Sequence, residues 1–465
     1  MVLTPFATGD EAQSSRMVAK RTAHAIGVLL VVTCVAVSGP RGLTAATGCG
    51  TNIGKGCAPD HQRVDLRRPT FSNPTAITNP LFPISRLHSV VLLGHVNRKP
   101  FRTETTLLPG TETVTWEGQQ VPVLVSRYVA FLDGRIEEVA LDRYAQADDG
   151  SVWYFGEDVF DYRNGAIALT EGTWLAGRDG PPAMIMPVDP NVGDVYRTEN
   201  VPGVVFEEVT VASVDRTVDG PTGPVRGALV AKELHSDGTT ERKTFAPGYG
   251  EFRTAGGGDL EALALAVPTD ALPQPEPETL AALLTAAGGT LESSRLRDWA
   301  AATSAAERAN KAWQTLRDGE PRMVVARLDR ALGAVARALK ARNAAAATQA
   351  AIDVKQSALD VALRYRPVVA VDAARLDLWT QQLRVHALAR DAGGVTGAVA
   401  TLEWIRDRIT GSLDPAGLVE LDARLRALRN ATDAGNLRAA ADHAARLGAC
   451  ARDLSARAQA SGSSS

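Results

Sequence analysis

Residues 126–177 read SRYVAFLDGRIEEVALDRYAQADDGSVWYFGEDVFDYRNGAIALTEGTWLAG, and this stretch decides the fold of the first half of the chain. Three turn dipeptides, Asp133-Gly134, Asp149-Gly150 and Asn164-Gly165, separate runs that are rich in Val, Ile, Tyr, Trp and Phe. Asp-Gly and Asn-Gly favour the tight turns of β-hairpins, and β-branched and aromatic residues favour strands. The stretch therefore predicts an antiparallel meander, and it carries no catalytic motif.

Hydrophobic patterning extends the sheet beyond this stretch. Residues 87–96 are apolar on both faces, and in residues 121–131 the odd positions form an apolar face that only Arg127 interrupts. The run VWYF at 152–155 is also apolar on both sides, which predicts a central place in the sheet. An out-of-phase isoleucine at 136 predicts a β-bulge near Glu137-Glu138.

Further strand-like runs complete an antiparallel β domain over residues 76–266. They lie near 204–218, 225–234, 240–246 and 250–254. About ten strands with short turns predict a curved sheet or an open barrel.

Several motifs in this half resemble a family of uncharacterised exported bacterial proteins. The resemblance lies in NPLFP, VWYFGE, MPVDP followed by GDVY, and FAPGYGE, and it covers residues 75–255. Some members of that family are lipoproteins, and the family has no established activity. The resemblance therefore implies an exported β-rich domain, and it assigns no site residues.

The second half of the chain is predicted to be helical. Four prolines make residues 267–278 an extended linker, and residues 279–458 are rich in Ala with helical apolar spacing. Predicted helix breaks lie at Asp318-Gly319, Arg342-Asn343, Arg366-Pro367, Gly393-Gly394, Asp414-Pro415 and Gly435-Asn436. The pattern fits a closed antiparallel bundle or an array of helical hairpins, followed by a disordered tail at 459–465.

The beginning of the chain resembles a secretory signal. Lys20 and Arg21 precede an apolar run that is too short for a comfortable membrane span and ends among small residues. We therefore expect residues 1–38 to be a cleaved signal peptide, with Met17 as a possible true start and no transmembrane segment after cleavage. Residues 39–75 are expected to be a tether, and the protein is expected to be secreted or attached to the cell surface.

Cysteine usage fits export. Cys49 and Cys57 bracket a loop short enough for a local disulfide in an oxidising compartment. Lipidation of Cys49 is the rival interpretation, because Thr47-Gly48-Cys49 resembles the end of a bacterial lipobox.

Charge divides the chain into unlike halves. Residues 279–465 carry 26 Lys and Arg against 19 Asp and Glu, whereas residues 1–278 carry 24 against 34. This asymmetry favours docking of the basic helical half on the acidic β half. The basic residues are interleaved with acids and lack an aromatic platform, so nucleic acid is not an expected partner.

A metal site in the helical half is the one chemical constellation that the sequence suggests. His386 should point into the bundle, and acidic residues on neighbouring helices could join it, although the Glu-x-x-His pairing of di-iron bundles is missing. The weak candidates for this iron-type site are His386, Asp353, Asp360, Glu403 and Asp407.

These observations favour a non-catalytic exported protein of the cell envelope or the secreted fraction, without a resident cofactor. Its β domain is expected to bind an apolar small molecule or an envelope protein, and its helices are expected to form an interaction module. The motifs G-x-S-x-G and H-E-x-x-H, the Walker loop and the dinucleotide fingerprint do not occur. A metal-binding bundle protein or metalloenzyme, and a purely structural envelope protein, are the alternatives.

Overall fold

The computed structural model describes residues 48–462 and confirms the predicted fold class, an antiparallel sheet followed by helices. The expected signal peptide, the first residues of the tether and residues 463–465 lie outside the described residues. Among the described residues the sheet has fifteen strands and is not closed. These strands are β1 (Ser89–Val96), β2 (Lys99–Leu107), β3 (Glu112–Trp116), β4 (Gln119–Leu132), β5 (Arg135–Gln146), β6 (Val152–Arg163), β7 (Ala166–Leu169), β8 (Trp174–Leu175), β9 (Ala183–Met186), β10 (Val195–Val201), β11 (Val205–Asp219), β12 (Pro224–His235), β13 (Thr240–Ala246), β14 (Gly250–Gly256) and β15 (Asp259–Val267).

The predicted turn dipeptides join strands that are neighbours in the sheet. Asp133 and Gly134, which connect β4 to β5, have φ angles of 51° and 76°. Asn164 and Gly165, which connect β6 to β7, have φ angles of 51° and 78°. Two successive positive φ angles characterise the type I′ turn, whose twist matches that of paired strands.

The order of the strands shows that the sheet curls. Its main path is β10-β11-β12-β13-β14-β15-β1-β2-β4-β5-β6-β7, with β3 beside β4 and with β8 and β9 beside β6. The expected central place of the VWYF run is wrong, because β6 lies near one end of this path. That run is nevertheless buried, with β5 paired on one side of it and β9 on the other. Trp174 of β8 donates a hydrogen bond to Glu199 of β10, the strand at the opposite end, over 3.4 Å. The two ends of the path therefore approach each other.

Eight α-helices follow among the described residues, and they form two successive four-helix groups. Helices α1 to α4 share one apolar core and α5 to α8 share another, with α4 packed on α5. The helices are α1 (Glu278–Arg295), α2 (Trp299–Leu316), α3 (Arg322–Lys340), α4 (Ala344–Ala362), α5 (Val368–Leu388), α6 (Ala392–Ile409), α7 (Pro415–Asp433) and α8 (Leu437–Gly462). The last helix extends beyond residue 458, so residues 459–462 belong to it and not to a disordered tail. None of the described helices combines the length and apolarity that a membrane crossing requires.

A recurring corner joins the two helices of each hairpin. A residue with positive φ is followed at once by an Asp or Asn whose side chain caps the next helix. The positive φ ends one helix and the Asx side chain caps the next, so only three residues separate the two helices. The four corners are Arg297-Asp298, Arg342-Asn343, Arg390-Asp391 and Gly435-Asn436.

The break predicted at Gly393-Gly394 is wrong, because both glycines lie in the first turn of α6. Their role is close packing. A Cβ atom on Gly393 would lie 3.0 Å from the carbonyl oxygen of Asn164, and one on Gly394 would lie 2.3 Å from Nδ1 of His386. The glycines allow α6 to approach the β6–β7 hairpin and the end of α5.

The helices cover the convex face of the sheet. Val91 of β1 belongs to the core of the first helical group, and Phe131 of β4 stacks on Trp379 of α5 with ring centroids 5.3 Å apart. Arg127, which interrupts the apolar face of β4, is buried with its guanidinium 5.4 Å from the ring centre of Trp404. Successive residues of a strand point to opposite faces, so the residues that alternate with Val91 and Phe131 along β1 and β4 face the concave side. Both faces of these strands are therefore covered, which explains why both are apolar.

Buried ion pairs cross the boundary between sheet and helices. Asp360 of α4 accepts hydrogen bonds from both terminal nitrogens of Arg102 of β2, each over 2.8 Å, and from Arg375 over 3.0 Å. Glu104 of β2 accepts from Arg102 over 2.7 Å and from Arg408 over 3.1 Å. Charges of both signs therefore lie on each side of this contact.

Candidate ligand cavity

The concave side of the curled sheet contains a cavity of about 250 Å³. This volume lies just below the range of roughly 300–1,000 Å³ that is common for small-molecule sites. The cavity has an apolar wall and an acidic wall. The apolar wall is formed mainly by Phe82, Ile84, Leu87, Val90, Leu92, Phe101, Tyr128, Ala130, Ala140 and Tyr144.

The segment NPLFP forms part of the apolar wall. Nδ2 of Asn79 donates a hydrogen bond to the carbonyl of Pro187 over 2.9 Å, and Oδ1 accepts one from the backbone N–H of Leu81 over 3.0 Å. These bonds hold the segment in a turn in front of β1. Phe82 then meets Tyr144 edge to face, with ring centroids 4.9 Å apart. The turn therefore places an aromatic ring over the interior of the sheet.

A β-bulge brings two carboxyl groups to the opposite wall. Ala130 pairs with Glu138 and Phe131 pairs with Ile136, which leaves Glu137 as the extra residue. The bulge that the sequence predicts at this point is thus confirmed. Bulges re-aim side chains, and here Glu137 and Glu138 both line the cavity. Further carboxyl groups reach it from β5, β6, β13, β14 and β15, namely Asp142, Glu157, Glu241, Glu251 and Glu261.

Burial raises the pKa values of several of these carboxyl groups. It raises the pKa of Asp142 to about 6, that of Glu137 to about 7 and that of Glu157 to about 8. The pKa of Glu138 is raised well above its usual value, first by burial and then by the negative charge of Asp161. Glu157 is therefore mostly protonated at neutral pH.

A second cluster of ionisable groups lies on β11, β12 and β13, next to the acidic wall. Among the described residues, Glu207, Glu233 and His235 form the one group whose ligand atoms are close enough to hold a metal ion. However, the ammonium nitrogen of Lys243 lies 2.8 Å from Oε2 of Glu233. Burial lowers the pKa of His235, but Glu207, whose Oε1 lies 3.3 Å from Nδ1, outweighs this and raises the pKa to about 9. The chain's own cations therefore neutralise this cluster.

No family model matches this chain, and none of the curated proteins matches it. The resemblance to exported bacterial proteins therefore stays a prediction. Three of the motifs that carry it nevertheless contribute to one cavity. NPLFP supplies Phe82, VWYFGE supplies Glu157, and FAPGYGE supplies Tyr249 and Glu251.

His386, the leading sequence candidate for a metal ligand, has a structural role. Its Nδ1 lies 2.9 Å from Oδ2 of Asp391, and its Nε2 lies 3.0 Å from the amide nitrogen of Gln382. Asp391 also caps α6 through the backbone N–H of Gly394 over 2.9 Å. Burial lowers the pKa of His386, so the neutral ring donates from Nδ1 and accepts at Nε2. This ring joins the end of α5 to the start of α6.

The structure does not bring the other four candidates to His386. Asp360 is held by arginines at the sheet boundary, and Asp353 accepts a hydrogen bond from Gln349 over 3.3 Å. Glu403 pairs with Arg429, and Asp407 accepts from Arg406 over 3.0 Å. None of the five belongs to a potential metal-holding group among residues 48–462. Shared helical faces do not fix which partner each carboxylate meets, and here the four carboxylates have separate partners.

Cys49 and Cys57 are joined by a disulfide in the structure. The loop that it closes packs on the outside of the sheet. The backbone N–H of Asn52 donates to the carbonyl of Ser236 over 2.6 Å, and that of Ala58 donates to Glu208 over 2.7 Å. In this form the sulfur of Cys49 is already bonded and carries no lipid.

The cavity residues were not among the sequence candidates. Glu138 carried one usable signal, the predicted bulge. Glu157 and Glu251 lie in motifs that were interpreted as turn and packing motifs, and no sequence pattern indicated a functional role for Lys243. These residues come from strands far apart in sequence, and only the curl of the sheet brings them together.

Proposed function

We propose that this protein is an exported, non-catalytic binding protein, secreted or attached to the cell surface, that takes a small molecule into the cavity of its curled sheet. The observation that carries the proposal is the cavity itself, which pairs an apolar wall with an acidic one. Sites for small molecules in proteins have this composition, a largely apolar lining with a few polar groups that fix orientation.

Two features support the exported location. The sequence at 17–38 has the basic start, apolar run and small residues of a secretory signal. The Cys49–Cys57 disulfide is of the kind that persists in oxidising compartments.

The helical half supports the binding role by covering the convex face of the sheet. An open sheet with two apolar faces needs cover on both sides. Because Val91, Phe131 and their neighbours pack under the helices, the concave face is left to enclose the cavity. In this proposal the helices act first as a support for the binding site.

Calorimetric titration with three probes tests the proposal. Phenylbutanol, phenylbutylamine and phenylbutyrate share one apolar body and differ only in charge. At least one of them should bind the wild-type protein. Ala140→Phe, which fills the cavity from β5, should abolish that binding, because Ala140 is buried and lines the cavity.

Ala166→Phe is the matched control, since Ala166 is an exposed strand residue of β7. It should leave the affinity of the bound probe unchanged. If none of the three probes binds, or if Ala140→Phe binds them as the wild type does, the proposed function is wrong.

A further inference from the structure

Among the described residues, the walls of the cavity carry many more acidic than basic side chains. Seven carboxyl groups line it, together with one cationic side chain, Lys243. That lysine is already engaged by Glu233, which lies outside the cavity. At the bulge of β5, burial raises the pKa of Glu137 and the charges of Lys99 and Arg163 act to lower it, whereas the strongest charges that act on its neighbour Glu138 are all carboxylates.

Glu138 is the residue of this acidic wall for which the chain supplies the least compensation. It is 8% exposed, and the charges that act on it most strongly are those of the carboxyl groups of Asp161, Asp142 and Glu261. No described residue donates a hydrogen bond to its carboxyl group. Leaving a buried polar group without a partner is unfavourable, and more so when the group is charged. Such a group in a cavity wall indicates a partner that the chain does not supply.

The surrounding walls narrow the chemistry of that partner. Tyr128 and Phe101 line the same cavity, and aromatic rings favour cations as neighbours. A bare divalent ion prefers oxygen ligands on all sides, which the apolar wall near Phe82 and Val90 cannot offer. An ammonium group attached to an apolar body satisfies both walls at once.

We propose that the ligand of this cavity is an organic cation, with its ammonium group at Glu138 and its apolar body against the wall of Phe82, Val90 and Tyr128. This inference rests on the proposed function and specifies the ligand class of the same site. Lys243 shows how the fold already accommodates an ammonium group, 2.8 Å from a buried carboxylate on the neighbouring strand.

The three phenylbutyl probes separate this inference from the proposed function. At neutral pH the wild-type protein should bind phenylbutylamine at least about tenfold more tightly than phenylbutanol, a difference of about 1.4 kcal/mol, and phenylbutyrate least tightly. Equal affinities for the amine and the alcohol would overturn the cation inference and leave the binding function standing. Absence of binding by all three would overturn both.

Glu138→Gln tests the position of the charge. It should weaken phenylbutylamine about tenfold or more and should leave phenylbutanol within about threefold of its wild-type affinity. The variant keeps the shape of the side chain and breaks no hydrogen bond, so we expect it to fold, and circular dichroism checks this. Glu171→Gln, at an exposed turn outside the cavity, should change neither affinity.

Two further outcomes would overturn the inference. One is an unchanged affinity of phenylbutylamine in Glu138→Gln. The other is full displacement of phenylbutylamine by millimolar calcium chloride, with calcium binding that Glu138→Gln abolishes, because the acidic wall would then be a metal site.

Discussion

Replacing Asp360 by alanine should destabilise the protein strongly, although Asp360 does not line the cavity. Its side chain is 0% exposed and neutralises Arg102 of the sheet and Arg375 of the helices, which are themselves buried. Removing one partner of a buried ion pair typically costs about 3–5 kcal/mol, because the remaining charge is left without compensation. Here two guanidinium groups lose hydrogen bonds, so the loss should lie in this range or above it.

Urea titration followed by circular dichroism measures this loss, and Asp422→Ala provides the control. Asp422 also accepts two hydrogen bonds from a single arginine, Arg406, each over 2.7 Å. Both of those side chains are about one-quarter exposed, and ion pairs in such positions contribute only about 0–1 kcal/mol. The two variants therefore remove the same chemistry in different surroundings.

Equally small losses of stability in the two variants would refute this reasoning. If Asp360→Ala and Asp422→Ala both lower the free energy of unfolding by less than about 1 kcal/mol, the charges at the sheet boundary are not buried as described. A loss of several kcal/mol in Asp360→Ala alone would show that these pairs hold the helices on the sheet.

Three other predictions follow from local geometry. In urea titrations, Gly134→Ala should lower the free energy of unfolding by roughly 1–2 kcal/mol, and Gly165→Ala should lower it by several times as much. Both glycines have positive φ, but a Cβ on Gly165 would lie 2.1 Å from a carbonyl oxygen of α6, whereas one on Gly134 would face open space. The free energy of unfolding should fall as pH rises from about 4.5 to 8, because burial raises the pKa of Glu157 in the folded state from 4.5 to about 8. Glu157→Gln should reduce this fall. A pH profile of stability that is the same in the variant and the wild type would contradict the assignment. Mass spectrometry of the exported protein should show a peptide that links Cys49 to Cys57 and no lipid on Cys49, whereas a lipidated Cys49 would refute the disulfide.

Local sequence signals predicted the parts of the fold that depend on neighbouring residues. Asp133-Gly134 and Asn164-Gly165 lie at tight turns because few other residues tolerate two successive positive φ angles. The bulge at Glu137 was visible because one extra residue shifts the period-2 pattern. Five of the six predicted helix breaks lie where helices end, for the same local reason.

Features that depend on distant residues were not predictable. Strand β2, KPFRTETTL, does not look like a buried strand, yet Arg102 and Glu104 are buried because helices α4 to α6 supply their counter-ions. The VWYF run was assigned a central place because both its faces are apolar. The structure buries it instead by curling the sheet and by pairing β8 and β9 with β6.

The cavity shows the same limit more sharply. Phe82, Glu138 and Lys243 come from three separate regions of the chain and meet only in the curled sheet. His386 was expected to point into the bundle, and the structure places it half-buried at the end of α5. The adjacent corner of the chain, however, supplies its partner Asp391.

The most direct test of the cation-binding cavity is a crystal structure of the protein with a brominated phenylbutylamine. The anomalous signal of bromine should lie inside the cavity near Phe82 and Val90, with the ammonium nitrogen about 2.8 Å from a carboxyl oxygen of Glu138. An empty cavity at a saturating concentration of the probe, or an ammonium group that points away from Glu138, would contradict the account.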